Sequence, residues 1–332
     1  MPKSSPGFSI WRSNDGRWRS NTLGRRPIEQ RQQRIGRMPS NEPTYARPDY
    51  LVDTAWLADH LDDPDVWVID CTVDLTVTPD QYISTSGRAT YDKGHIPGAL
   101  FADLIERFSA PGSRFNFTLP SAERFAEGMS ALGLRNEQRF VLYSTTTYTW
   151  ATRFFWMLRA FGHDRTALLN GGCKKWQSEG RPIATSATSV ARSNFVATLK
   201  RGVFVGTSEV EAAIGSADTT ILCALGRPQF TGEKPSYRNQ HGRIPGAKHL
   251  AAISLLDPED GTLLPADELH EKLDKAMLLD AKRIIAYCGS GIAATGDAFA
   301  LAVLGAANVA VYDGSMQEWF DDPSRPVERD VL

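Results

Sequence analysis

One cysteine in the second half of the chain has neighbours that suit a nucleophile. In "RIIAYCGSGIAATGDAFALAVLG", residues 283 to 305, the run Ile-Ile-Ala-Tyr carries no charge and reads as a buried strand that ends at Cys288. Gly289, Ser290 and Gly291 can turn sharply, and the residues after them have the apolar spacing and final glycine of a helix. The thiol therefore stands at a strand-to-helix elbow. A turn of successive backbone N–H groups and a helix N-terminus facing the sulfur would favour the thiolate, the form that attacks. Small residues at 289 to 291 let those backbone donors come close, and Ile292 and Ala293 complete the loop expected to cradle the sulfur.

The elements that must hold this elbow occur twice. "WVIDCTVDL" followed by "GHIPGALFADL" recurs as "TILCALGRPQF" followed by "GRIPGAKHLAA", and "FVLYSTTTYTWATRFFWMLRAFGHDRTALLNGGCKKW" recurs as "IIAYCGSGIAATGDAFALAVLGAANVAVYDGSMQEW". Each copy offers an apolar strand, an IPGA turn, a second strand with its elbow, a helix, a third short strand, and then Gly and Trp. Strands alternating with helices predict an α/β fold of two modules, each a mainly parallel sheet flanked by helices. The copies differ where chemistry would differ. Ser144 stands at the position of Cys288, and "TTTYTW" replaces the compact turn, bulkier and one residue longer before a shared Ala-Thr pair.

Composition bounds the rest. A chain of 332 residues with 42% hydrophobic content is long enough for two ordinary domains. A net charge of −2 predicts no general attraction to nucleic acid, and no apolar run is long enough to cross a bilayer. Cysteines at 71, 173, 223 and 288 form no CxxC pair, so free thiols in a reducing, cytoplasmic setting are the simplest reading, and structural zinc is disfavoured. Cys71, Cys173 and Cys223 are expected to be buried and inert. Residues 1–45 are arginine-rich, acid-poor and without apolar periodicity, and are expected to be disordered. Their composition fits an over-long start before Met38 best, an organellar transit peptide second and a basic interaction arm third. The expected layout is a first module over 46–177, a Ser/Ala/Thr-rich linker over 178–202 and a second, catalytic module over 203–325.

The tandem order, with "GHIPGA" and "WMLRAFGHDRTALLNGGCKKW" in the first half and "YCGSGIAA" in the second, resembles the two-domain rhodanese-type sulfurtransferases, the thiosulfate and 3-mercaptopyruvate sulfurtransferase family. The resemblance runs from about residue 50 to the end. It implies that Cys288 takes a sulfane sulfur from a small donor, holds it as a persulfide and passes it to a thiophilic acceptor such as cyanide or a thiol. It implies no metal and no organic cofactor, and it leaves any acceptor protein unidentified.

Within that family a Cys-Gly-Ser-Gly loop accompanies 3-mercaptopyruvate, and cationic loops accompany thiosulfate. Gly289, Ser290 and Gly291 match the first type, which leaves the donor's carboxylate to arginines elsewhere. Arg238 falls where one substrate-binding arginine of the mercaptopyruvate enzymes sits. The second arginine of that pattern falls at Gln229, with Arg227 two residues earlier, and the histidine usual before IPGA is Arg243. The aspartate usual at the end of the preceding strand is Cys223. Arg227 and Arg243 are therefore candidates to supply charge, and thiosulfate stays open as donor. Ser290 and His95 match the first two members of a Ser-His-Asp relay proposed for such enzymes, with Asp92 the nearest acid in sequence.

Other readings of the same thiol make different demands. A phosphatase cradle needs an arginine six residues after the cysteine, and that residue is Ala294. A sulfur carrier loaded by a partner protein needs the same reactive thiol without turnover of free donors. A redox sensor needs a resolving cysteine, and none is adjacent in sequence.

Overall fold

The structure, a computed structural model, describes residues 44–77 and 82–330. Each half forms a five-stranded parallel sheet. In the first half β1 (Leu51–Val52), β2 (Val66–Asp70), β5 (Leu100–Phe101), β6 (Arg139–Tyr143) and β7 (Thr166–Leu169) lie in the order β1-β7-β6-β2-β5. In the second half β8 (Phe204–Val205), β9 (Thr219–Cys223), β12 (Lys248–His249), β13 (Arg283–Tyr287) and β14 (Val309–Tyr312) lie in the order β8-β14-β13-β9-β12, so the topology repeats. Antiparallel hairpins lie outside the sheets, β3 (Val73–Val77) with β4 (Tyr82–Ser86), and β10 (Pro235–Tyr237) with β11 (Gln240–His241). Apart from the arginines that open β6 and β13, the central strands are short uncharged runs because helices cover both faces of each sheet, which leaves no polar side to alternate with.

The repeat extends to single hydrogen bonds. The tyrosine that ends each central strand accepts the amide of the IPGA isoleucine, Ile96 to Tyr143 at 3.2 Å and Ile244 to Tyr287 at 3.1 Å. The indole of each C-terminal Trp donates to a proline carbonyl, Trp176 to Pro182 at 2.8 Å and Trp319 to Pro326 at 3.0 Å.

Two helices join the halves. Eleven of the thirteen residues of helix Tyr148–Ala160 are buried, and ten of the eleven of helix Ala293–Val303. A helix apolar on all sides must be covered on all sides, and these two cover each other. Thr152 and Thr295, partners in the repeat, meet hydroxyl to hydroxyl at 2.8 Å, which puts the pseudo-two-fold axis between them. Phe155 packs edge-on against Phe299 at 5.0 Å between centroids, and the Trp156 indole donates to Thr295 O at 3.1 Å.

Contacts cross three of the expected boundaries. Residues 1–43 lie outside the described residues, but Tyr45, assigned to the extension, packs on the core and its hydroxyl donates to Leu264 O at 2.6 Å. Past Ser178, the last residue of helix Gly172–Ser178, the expected linker 178–202 is irregular, yet it is bonded along the first module through Ala184 to His95 and Ser193 to Ser130, and Phe195 is buried. The segment after residue 325 is structural too, since Glu328 bridges to Arg243.

Candidate active site

Cys288 follows the last residue of β13 at the carboxyl edge of the second sheet, the edge where parallel α/β sheets open a crevice. It is 2% exposed, while Gly289 and Ser290 beside it are half-buried. The turn is fixed by its carbonyls. Cys288 O accepts from Met316 N at 3.0 Å and Gly289 O from Gln317 N at 2.9 Å, so the first turn of helix Ser315–Trp319 is capped by the cysteine loop itself. The Cys288 amide donates to the Ser315 hydroxyl at 3.1 Å, and that hydroxyl donates to Tyr312 O at 2.9 Å.

Ser315 takes a left-handed φ of 50°, where its counterpart Gly172 has 57°. A serine in a glycine conformation is held there by these two bonds. Gly291 is also left-handed, at φ 78°, and a Cβ there would lie 2.5 Å from Asp313 O. A Cβ at Gly289 would meet Ser236 O at 3.3 Å. Glycine is thus required at 291 by conformation and space, and favoured at 289 by space.

The two elbows differ in what their amides do. In the first module Thr145 N donates to the Thr72 hydroxyl at 2.9 Å, and Thr146 N to the Ser144 hydroxyl at 3.3 Å. In the second, the amides of residues 289–292 find no acceptor among the described residues. Side-chain hydroxyls thus take two amides of the first elbow and none of the four amides of the second.

Arg238 lies at the turn of the β10–β11 hairpin, exposed, with its guanidinium carbon 5.4 Å from the Tyr237 ring centroid. The Tyr237 ring reaches within 4.0 Å of the Cβ position of Gly289, so this hairpin brings an arginine that makes no ion pair among the described residues beside the loop. Arg227 opens helix Arg227–Thr231 just past β9, exposed and set over Phe230 at 5.6 Å.

Two expected site residues are committed elsewhere. Arg243, with a side chain 9% exposed, donates to Phe230 O at 3.0 Å and pairs with Glu328 and with Asp330 at 2.8 Å. Its charge is neutralised by the C-terminal strap and is not offered to a donor. The His95 ring is buried and stacked on Tyr91 at 3.8 Å, with Nδ1 2.8 Å from Tyr91 O and Nε2 3.3 Å from Ser186 O. Backbone carbonyls of the first module and the linker occupy both nitrogens, so no Ser290–His95 pair forms. Asp92 is paired with Arg88 at 2.9 Å.

Cys71, Cys173 and Cys223 are buried, as expected of inert thiols. Burial pushes Cys173 up to about 11, Cys223 up to about 12 and Cys71 well above the ordinary thiol range. Cys223 ends β9 where Asp70 ends β2. One acid escaped the sequence reading. Asp297, in helix Ala293–Val303, is fully buried with no partner for either oxygen among the described residues, and burial drives its carboxyl well above the usual range. Its signal was a lone charge in an apolar helix.

The family model for the rhodanese-like domain matches residues 53–179 and 226–322. A Pseudomonas aeruginosa protein described as a probable 3-mercaptopyruvate sulfurtransferase is 32% identical over 282 residues, 83% of this chain and 97% of that one. The sulfur carrier protein TtuD of Thermus thermophilus is 32% identical over 292 residues, 83% of this chain and 95% of its own. Among solved structures, SseA of Escherichia coli, a 3-mercaptopyruvate sulfotransferase, aligns with a TM-score of 0.71 at 32% identity over 80% of this chain and 98% of that one.

Proposed function

The chain belongs to the rhodanese-like family, and from that premise we propose that it is a sulfurtransferase moving sulfur from a small donor, through a persulfide on Cys288, to a thiophilic acceptor. The observation that carries this reading is the contrast between the elbows. The Cys288 thiol is followed by four amides with no acceptor among the described residues, where the pseudo-symmetric serine is followed by two amides, those of Thr145 and Thr146, already bonded to hydroxyls.

In the first half-reaction the Cys288 thiolate attacks the sulfur of 3-mercaptopyruvate. The carbon–sulfur bond breaks, its electron pair leaves on the enolate of pyruvate, and a proton taken up at carbon gives pyruvate. The amides of Gly289, Ser290, Gly291 and Ile292, with the turn completed by Ala293, cradle the persulfide and stabilise its negative charge. The Ser290 hydroxyl assists the proton movement. In the second half-reaction cyanide or a thiolate attacks the outer sulfur, the S–S bond breaks and the Cys288 thiolate returns.

Arg238 takes the donor's carboxylate, and Arg227 adds positive charge at the same sheet edge. A neutral loop with Arg243 withdrawn into ion pairs leaves little to grip a dianion at the sulfur itself, which favours 3-mercaptopyruvate over thiosulfate. No helix among the described residues is long and apolar enough to cross a membrane. The four unpaired thiols support a cytoplasmic setting.

A carrier role is the second reading, favoured by the similarity to TtuD. The deciding experiment is steady-state turnover of the protein and of Cys288→Ala, with 3-mercaptopyruvate and thiosulfate as parallel donors to dithiothreitol and cyanide. Turnover that vanishes in the variant, with 3-mercaptopyruvate ahead in kcat/KM, supports the enzyme reading. No Cys288-dependent turnover with either donor overturns it in favour of the carrier.

A further inference from the structure

The first module, which lacks a counterpart of Cys288, touches the catalytic loop with a buried side chain. Arg153, in helix Tyr148–Ala160, is 1% exposed, and its Nη1 donates to Gly291 O at 3.3 Å. Nη2 donates to Phe117 O and to Asp313 Oδ1, the latter at 2.7 Å. The guanidinium carbon lies 4.6 Å from the Phe204 ring centroid, and Asp313 Oδ2 is fixed in turn by Leu119 N at 2.8 Å. With Nη2 held by Asp313 and Phe117, the planar guanidinium turns Nη1 toward the loop.

The repeat shows that this contact has been specialised. Counted from the shared Ala-Thr pair, Arg153 corresponds to Gly296 and Tyr148 to Gly291. Across the pseudo-two-fold axis each large side chain faces the other copy's glycine: Arg153 lies against Gly291, and the Tyr148 hydroxyl lies 2.4 Å from the Cβ position of Gly296. The first contact delivers charged donors to the catalytic loop. The second delivers a phenol that donates to Ala252 O at 2.9 Å. A buried ion pair gains little stability over an apolar pair of the same size, so stability alone does not account for an arginine here.

We infer that Arg153 is a positioning residue for sulfur transfer, through which the first module orients the Gly291–Ile292 peptide of the second. In a trans peptide the carbonyl and the following N–H point to opposite sides. With Gly291 O held toward Arg153, the Ile292 amide is turned to the other side, into the cradle. Met316 N and Gln317 N do the same for the amides of Gly289 and Ser290 by holding the carbonyls of Cys288 and Gly289. The degenerate module thereby supplies one of three clamps that keep the cradle open.

This inference rests on Cys288 as nucleophile, and its test separates the two claims. Arg153→Lys keeps a charge against Asp313 but lacks the fork, and Arg153→Met removes both. For each variant the rate of Cys288 alkylation by iodoacetamide is followed against pH, with the site identified by peptide mass, beside kcat and KM for 3-mercaptopyruvate and the melting curve. Weaker donation to the sulfur should raise the pH of half-maximal alkylation by about half a unit to one unit in both variants. It should also lower kcat about tenfold with KM changed less than about threefold, including in the cooperatively melting Lys variant. An Arg153→Lys protein that melts cooperatively and alkylates with the parent's pH profile overturns the inference. The alkylation profile is read without turnover, so absence of Cys288-dependent turnover in the parent overturns the function and leaves this comparison standing.

Discussion

At position 288 a thiol replaces the hydroxyl that the first module carries at 144, and the residues that shape the loop change with it. This much was legible because it is local. A strand end, a glycine turn and a helix start lie within a few residues of one another, and backbone geometry follows from residue type. Gly291→Ala should cost about 1–2 kcal/mol for its left-handed φ, on top of the contact with Asp313 O, and should reduce kcat/KM at least about tenfold in steady-state assays. Arg238→Ala should raise KM for 3-mercaptopyruvate about tenfold with kcat nearly unchanged, the signature of a lost carboxylate contact. Roles that depend on distant partners were not legible. Arg243 is neutralised by Glu328 and Asp330, His95 is taken by Ser186 O from the linker, and Arg153 meets Gly291 from the other module. Motif position placed Arg243 and His95 in the site, and long-range contacts removed them.

Elements were read correctly where the pattern was strong. Central strands announced themselves as short β-branched runs, and the repeat fixed the order of strand, turn, strand and helix. What the pattern could not say is which helices meet. Helix Ala293–Val303 is buried on nearly every face and has no polar stripe, so nothing in its periodicity names the neighbour that its structure provides, helix Tyr148–Ala160. Phe299→Ala at that junction should destabilise the protein by about 3–5 kcal/mol, read from denaturant unfolding. Asp297 in the same helix gives a pH test. Its folded-state pKa is raised, so the unfolded chain releases the proton first, and stability falls as pH rises from the ordinary carboxyl range toward the folded value. Asp297→Asn should therefore raise the melting temperature clearly at pH 7 to 8, and the gain should shrink toward pH 4.

On the scale of the whole molecule the two modules share one core. A single buried cluster runs from Tyr50 and Phe155 through Phe299 to Val311, and the 148–160 helix has almost no exposed face. The chain should therefore melt in one transition by calorimetry and circular dichroism, and residues 203–332 expressed alone should show no cooperative melting. The repeat in the sequence revealed two modules but not their fusion, because tandem copies alone are equally compatible with beads on a linker. The shared core explains why a module without the nucleophilic cysteine persists beside the one that has it. It covers the apolar face of the catalytic helix and reaches the sulfur loop through Arg153.

The measurement that tests the central claim most directly is the mass of the Cys288 peptide after brief exposure of the protein to 3-mercaptopyruvate without an acceptor, followed by digestion under non-reducing conditions. The account predicts one added sulfur on Cys288, none on Cys71, Cys173 or Cys223, and its loss on addition of cyanide with thiocyanate formed in equal amount. Pyruvate release with no sulfur on Cys288, or sulfur lodged on one of the other three cysteines, would contradict it.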